Sequence, residues 1–149
     1  MTEVWFYHLE AKMLDQVLPE LLERSLSRKW RAVVRVGSRQ RLEALDSHLW
    51  TYRDDSFLAH GSSAEPQSAF QPILLTLDAT APNGADILFL VDGAEAFDLD
   101  GFKRCVDLFD GRDPAAVEAA RSRWRSAVKA GHEVTYWQQT ESGKWEKRA

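Results

Sequence analysis

The sequence predicts an α/β protein: one three-layer domain with a mostly parallel sheet and helices on both faces. Three observations carry that prediction. Short runs of β-branched and aromatic residues alternate with helical patterns through the first half of the chain, the order in which parallel strands with crossover helices are built. The first strand-like run, residues 3–9, is β-branched and aromatic and reads as buried. The chain has 149 residues, enough for one domain with a sizeable core.

Glu3-Val-Trp-Phe-Tyr-His-Leu9 reads as a buried first strand. From about 12 to 29, Leu14, Val17, Leu18, Leu21, Leu22 and Leu26 recur at spacings of three and four, which makes an amphipathic helix. Pro19 lies too deep for a first-turn proline, so either Asp15 caps a late start or the proline bends the helix. Residues 31–36 form a second strand closed by Gly37. Ser38 is placed to cap a second helix through Leu42, Leu45, Leu49 and Trp50. Residues 53–70 show no periodicity and read as a long loop.

Strands follow at 72–77 and 86–91, separated by a Pro82-Asn83-Gly84 turn. Residues 103–109 fit helix or strand, and their β-branched and aromatic content favours strand. Asp113-Pro114 is a cap followed by a first-position proline, opening a helix that ends at Gly131. Residues 133–137 are a short final strand. Residues 1–139 make the domain, with 140–149 a polar, frayed tail.

Composition narrows the function. Hydrophobic residues are 44% and charged residues 28%, with six Trp, more than a core of this size absorbs, so some belong to a binding surface. The single cysteine, Cys105, excludes an internal disulfide and a cysteine-based zinc site; within an apolar run it reads as a small core residue. No apolar run approaches a membrane span and the N-terminus lacks a signal-peptide pattern, so a cytoplasmic location with no membrane contact is expected. Net charge is −4, which opposes a primary role in gripping phosphate backbone. The charge is uneven: residues 78–114 hold nine acids and three bases, whereas 115–149 hold seven bases and four acids. A basic patch on an acidic body suits an acidic peptide.

A nucleotide site would need glycines after the first strand, where the chain has His8-Leu-Glu-Ala-Lys12. His48, His60, Asp54 and Asp55 are suitable metal-ligand types without a metal-ligand spacing, and Asp98-Leu-Asp100-Gly101 is a fragment of a calcium loop lacking its later ligands. No metal or cofactor is expected. On the last helix Val117, Ala120, Trp124 and Val128 are spaced 3, 4 and 4 and share a face. Arg121 and Arg125 flank Trp124, with Arg123 and Lys129 nearby. Guanidinium forks beside an aromatic wall can take a carboxylate and an apolar side chain together; a Trp124 committed to the core is the competing reading.

Blocks in order along nearly the whole chain resemble the chi subunit family of the bacterial DNA polymerase III holoenzyme. They are Phe6-Tyr7, Leu21-Leu22-Glu23-Arg24, Leu45-Asp46 through Leu49-Trp50, Ser56-Phe57-Leu58, His60-Gly61, Val106-Asp107, Phe109-Asp110-Gly111 and Ala120-Arg121 through Trp124, then Ala130-Gly131. The resemblance implies a Rossmann-like α/β fold without a phosphate loop and a non-catalytic adaptor in DNA replication. It implies two partner surfaces. Trp50, Phe57, Leu58 and His60 would face the psi subunit of the clamp loader, or a helicase-like alternative; Ala59 stands where the family usually has proline. Arg121, Trp124 and Arg125, with Phe109 or Val106 lining an apolar pocket, would take the acidic C-terminal tail of single-stranded DNA-binding protein, which ends in a phenylalanine carboxylate. Trp124 and Arg125 replace the family's frequent Tyr and Lys, and both swaps keep the chemistry. DNA would be met only indirectly. A small-molecule or nucleotide-dependent α/β enzyme, or direct single-stranded DNA binding through the tryptophans, are the rival functions.

Overall fold

A computed structural model of the chain describes residues 2–51, 60–62, 72–77, 84–94, 99 and 101–148, of which 50, 51 and 60–62 enter as backbone alone. In chain order the elements are β1 (Glu3–Leu9), α1 (Leu14–Ser27), β2 (Ala32–Arg35), α2 (Arg39–Thr51), β3 (His60–Ser62), β4 (Ile73–Thr76), β5 (Ile87–Leu90), β6 (Arg104–Asp110), α3 (Pro114–Lys129), β7 (Glu133–Gln139) and β8 (Trp145–Lys147). Among the described residues the strands form one eight-stranded sheet in the order β3-β4-β2-β5-β6-β1-β7-β8. Every neighbouring pair is parallel except β7–β8.

Strand alternation divides the core in two. On one face Tyr7, Leu9, Val34, Leu75, Phe89, Val106 and Leu108 meet Val17, Leu18 and Leu22 of α1 and Leu42, Leu45 and Leu49 of α2. On the other, Val4, Phe6, Leu88, Cys105 and Phe109 meet Ala120 of α3, with Val117, Trp124 and Ala127 partly buried beside them. The three-layer α/β expectation therefore holds. Fully burying a Leu or Phe contributes about 1.5–3 kcal/mol, so these two apolar layers fix the helices on the sheet.

Local chemistry sets the helix ends. Ser38 Oγ accepts from the Arg41 N–H at 3.2 Å, the expected cap. Asp113 likewise caps α3, its Oδ1 accepting from the Ala115 N–H at 3.0 Å ahead of Pro114. At α1 the first of the two alternatives, an Asp15 cap, does not hold: Met13 is the N-cap residue and Asp15 lies in the first turn. Pro19 sits inside the helix and has no N–H for the carbonyl four residues back, that of Asp15. His48 Nε2 of α2 lies 2.6 Å from that carbonyl oxygen. Arg41 Nη2 donates to Asp15 Oδ1 at 3.0 Å, so the proline's lost bond is replaced by a tie between α1 and α2. The candidate metal ligand His48 is thus engaged with a carbonyl, while Asp54, Asp55, Asp98 and Asp100 lie outside the described residues.

Two segments differ from the sequence expectation. Residues 60–62 of the presumed long loop form the edge strand β3, parallel to β4. The presumed frayed tail returns as β8: a turn closed by Thr140 N–H to Lys144 O at 2.7 Å sets Trp145 opposite Gln139. Trp145 then packs on Tyr7 with ring centroids 4.7 Å apart. Burial of that indole supplies the driving force that the polar composition of 140–149 conceals.

Candidate tail-binding surface on the last helix

The face of α3 follows the 3, 4, 3 series Val117, Ala120, Trp124, Ala127, not the series ending at Val128, which is exposed. Val128 lies about 100° around the axis from Ala127, off the face that meets the sheet. Trp124 is half-buried. Its ring meets Phe6 edge-on at 5.6 Å and Tyr136 at 5.7 Å between centroids, so β1 and β7 back the indole while part of it stays open to a ligand. Arg121 and Arg125 are both exposed. Arg121 makes a long 3.9 Å contact with Glu118, an exposed pair of little energetic weight. Arg121 opposes, and Glu10 reinforces, the burial that pushes the Tyr136 phenol above its usual pKa.

Arg123 does not belong to this basic set. Its Nε and Nη2 donate to the two carboxylate oxygens of Asp107 at 2.5 and 3.1 Å, a bidentate pair that clamps α3 to β6. Asp107 is 2% exposed, and burial pushes its carboxyl up against the opposing pull of Arg123.

Phe109 lies beneath the surface, its ring 5.2 Å from His8 and 6.1 Å from Tyr136. Val106 points the other way. Cys105, Asp107 and Phe109 face α3, while Val106 belongs to the core under α1, so it cannot line a pocket with Trp124. Residues three apart on a strand face opposite sides. Sequence reading missed His8 and Tyr136. The Tyr136 hydroxyl and His8 Nδ1 are 2.5 Å apart. His8 Nε2 lies 3.1 Å from Glu10 Oε1, without the alignment of a hydrogen bond. The signal for both was strand alternation: Phe6 and His8 share a face of β1, and Tyr136 is paired with Phe6 in register. Cys105 is buried and its thiol is pushed well above the usual range by burial, as a core residue rather than a nucleophile requires.

At the carboxyl ends of the strands, where doubly wound sheets bind nucleotides, lies a cleft of about 510 Å³ lined in part by Asp92, Asp110 and Asp113. The backbone that would cradle phosphate is already engaged: Gln139 Oε1 accepts from the Glu10 and Lys12 N–H groups at 3.1 and 2.8 Å. Gly111 closes the β6–α3 turn against His8, where an added Cβ would overlap the ring and the Leu9 carbonyl.

For the second proposed surface, Trp50 lies in the last turn of α2 and His60 opens β3, both as backbone only, and Phe57 and Leu58 lie outside the described residues.

A family model described as "DNA polymerase III chi subunit, HolC" matches residues 1–135, from β1 through the middle of β7. The chain belongs to the DNA polymerase III chi subunit family. It is 27% identical over 109 residues to a protein of Rickettsia prowazekii (strain Madrid E) described as a probable DNA polymerase III subunit chi. That similarity covers 73% of this chain and 66% of the relative's length. The match includes the Phe109-Asp110-Gly111 turn and all of α3 and stops one residue short of Tyr136.

Proposed function

We propose that this chi-family chain is a non-catalytic replisome adaptor, joining the clamp loader, through psi or a helicase-like substitute, to the acidic tail of single-stranded DNA-binding protein. The observation that carries the reading is the pair of exposed guanidiniums, Arg121 and Arg125, beside a half-buried Trp124 braced by Phe6 and Tyr136. Such an arrangement favours a terminal carboxylate bearing an aromatic side chain: charge pairing holds the carboxylate while the ring packs on indole. A short tail with few contacts binds weakly, at roughly micromolar affinity, and many tails on one coated strand raise the effective concentration. Trp50, Phe57, Leu58 and His60 remain the proposed surface for psi.

Calorimetric titration with a short acidic peptide ending in phenylalanine tests the reading. Binding near micromolar should weaken at high salt, and Arg125→Glu should reduce affinity at least tenfold with the circular dichroism spectrum unchanged. Affinity unaltered by Arg125→Glu would remove α3 as the tail site.

A further inference from the structure

We propose that the cleft between Trp5 and Trp30, on the sheet face opposite α3, binds a carboxylate-bearing acidic segment of a protein partner. The Arg104 guanidinium lies 3.7 Å from the centroid of Trp5 and 5.3 Å from that of Trp30. Arg28 and Lys103 approach the same Trp30 ring at 5.3 and 5.5 Å. Arg24, Arg28 and Arg104 line one open cavity of about 70 Å³ above Tyr7. Burial pushes the Tyr7 phenol above its usual pKa, and all three guanidiniums lie close enough to oppose that shift.

The local charge is not balanced. Glu3 pairs with Arg104 at 3.2 Å and Asp86 with Lys103 at 3.6 Å, whereas among the described residues no carboxylate is paired with Arg24 or Arg28. Arg104 Nε is taken by Glu3, so Arg24 and Arg28 offer the guanidinium edges for a bidentate carboxylate contact beside the indoles.

Crowding and charge choose the ligand. The Trp30 ring already carries cations around it, leaving little face for base stacking. The body's net charge of −4 repels a long polyanion more than a short acidic segment. The site lies on the α1 face, so it can be occupied together with α3.

Indole N–H resonances of Trp5 and Trp30, followed by nuclear magnetic resonance in the full chain, test this with a short Asp/Glu-rich peptide whose C-terminus is amidated. The peptide should shift both resonances, and the shifts should persist in Arg121→Glu/Arg125→Glu, where the α3 surface is disabled. In Arg24→Glu/Arg28→Glu, both exposed positions, the apparent affinity should fall at least tenfold. Shifts lost with the α3 variant, or retained in Arg24→Glu/Arg28→Glu, would overturn the proposal. So would equal shifts with a single-stranded oligothymidine, which would make the cleft a nucleic-acid site.

Discussion

Asp107 and Arg123 show how one residue pair changes the reading of a helix. By sequence Arg123 is one of several bases on α3; in the fold it is held by a carboxylate that is almost fully buried. A buried pair adds little net stability, but breaking it leaves an uncompensated charge. Arg123→Ala should therefore cost about 3–5 kcal/mol at neutral pH in urea unfolding. The Asp107 carboxyl is raised by burial above its unfolded value, which is about 3.9. Between the two values the folded chain binds the extra proton, so this contribution to stability is fully present below the unfolded pKa and is lost as pH rises through the folded one. The stability difference between wild type and Asp107→Asn should thus shift against wild type as pH climbs from about 4. A shift in the opposite direction would mean that the Arg123 charge outweighs desolvation.

At the scale of elements, the α1–α2 pair illustrates a proline defect mended from outside. The 3.6-residue periodicity of α1 was legible, as was the anomaly of Pro19, but the group that satisfies the freed Asp15 carbonyl comes from His48, 33 residues on. His48→Ala should orphan that carbonyl and lower stability by about 1–3 kcal/mol. Adding Pro19→Ala restores the intrahelical N–H donor, so the double variant should recover part of the loss in thermal unfolding. Failure of Pro19→Ala to compensate would show that His48 acts through packing instead. The face of α3 was legible to within one residue, because Ala127 and Val128 differ in position by about 100° around the axis. Val106 could have been separated from Phe109 by strand alternation alone once 104–110 was taken as a strand. The basic–aromatic–basic set on α3 was legible from its spacing, whereas its backing by His8 and Tyr136 required the pairing of β1 with β7.

Across the whole molecule, Gln139 joins segments far apart in sequence. Its side chain accepts from Glu10 and Lys12 and reaches toward the Gly143 carbonyl at 3.5 Å, linking the β1–α1 connection to the β7–β8 turn. It is 1% exposed, so two backbone donors lose their partner if the amide is removed. Gln139→Leu should lower stability by about 2–4 kcal/mol, roughly one to two per unsatisfied donor. Amide hydrogen exchange should quicken at Glu10 and Lys12 together; faster exchange confined to the hairpin would show that the link is not shared.

By itself the sequence determined the α/β class, most of the strands and helices, and the caps at Ser38 and Asp113, because each depends on the periodicity or turn chemistry of neighbouring residues. It also determined the absence of a glycine-rich phosphate loop after β1. Tertiary structure decided what depends on distant partners. It made a strand of the polar 145–147 by pairing it with β7 and burying Trp145 on Tyr7. It assigned Arg123 to a buried carboxylate while leaving Arg121 and Arg125 exposed, and it gathered Trp5, Trp30 and Arg104 into one cleft. The physical reason is range: helical and turn preferences are set within a few residues, whereas burial, ion pairing and strand addition are settled only when remote segments meet.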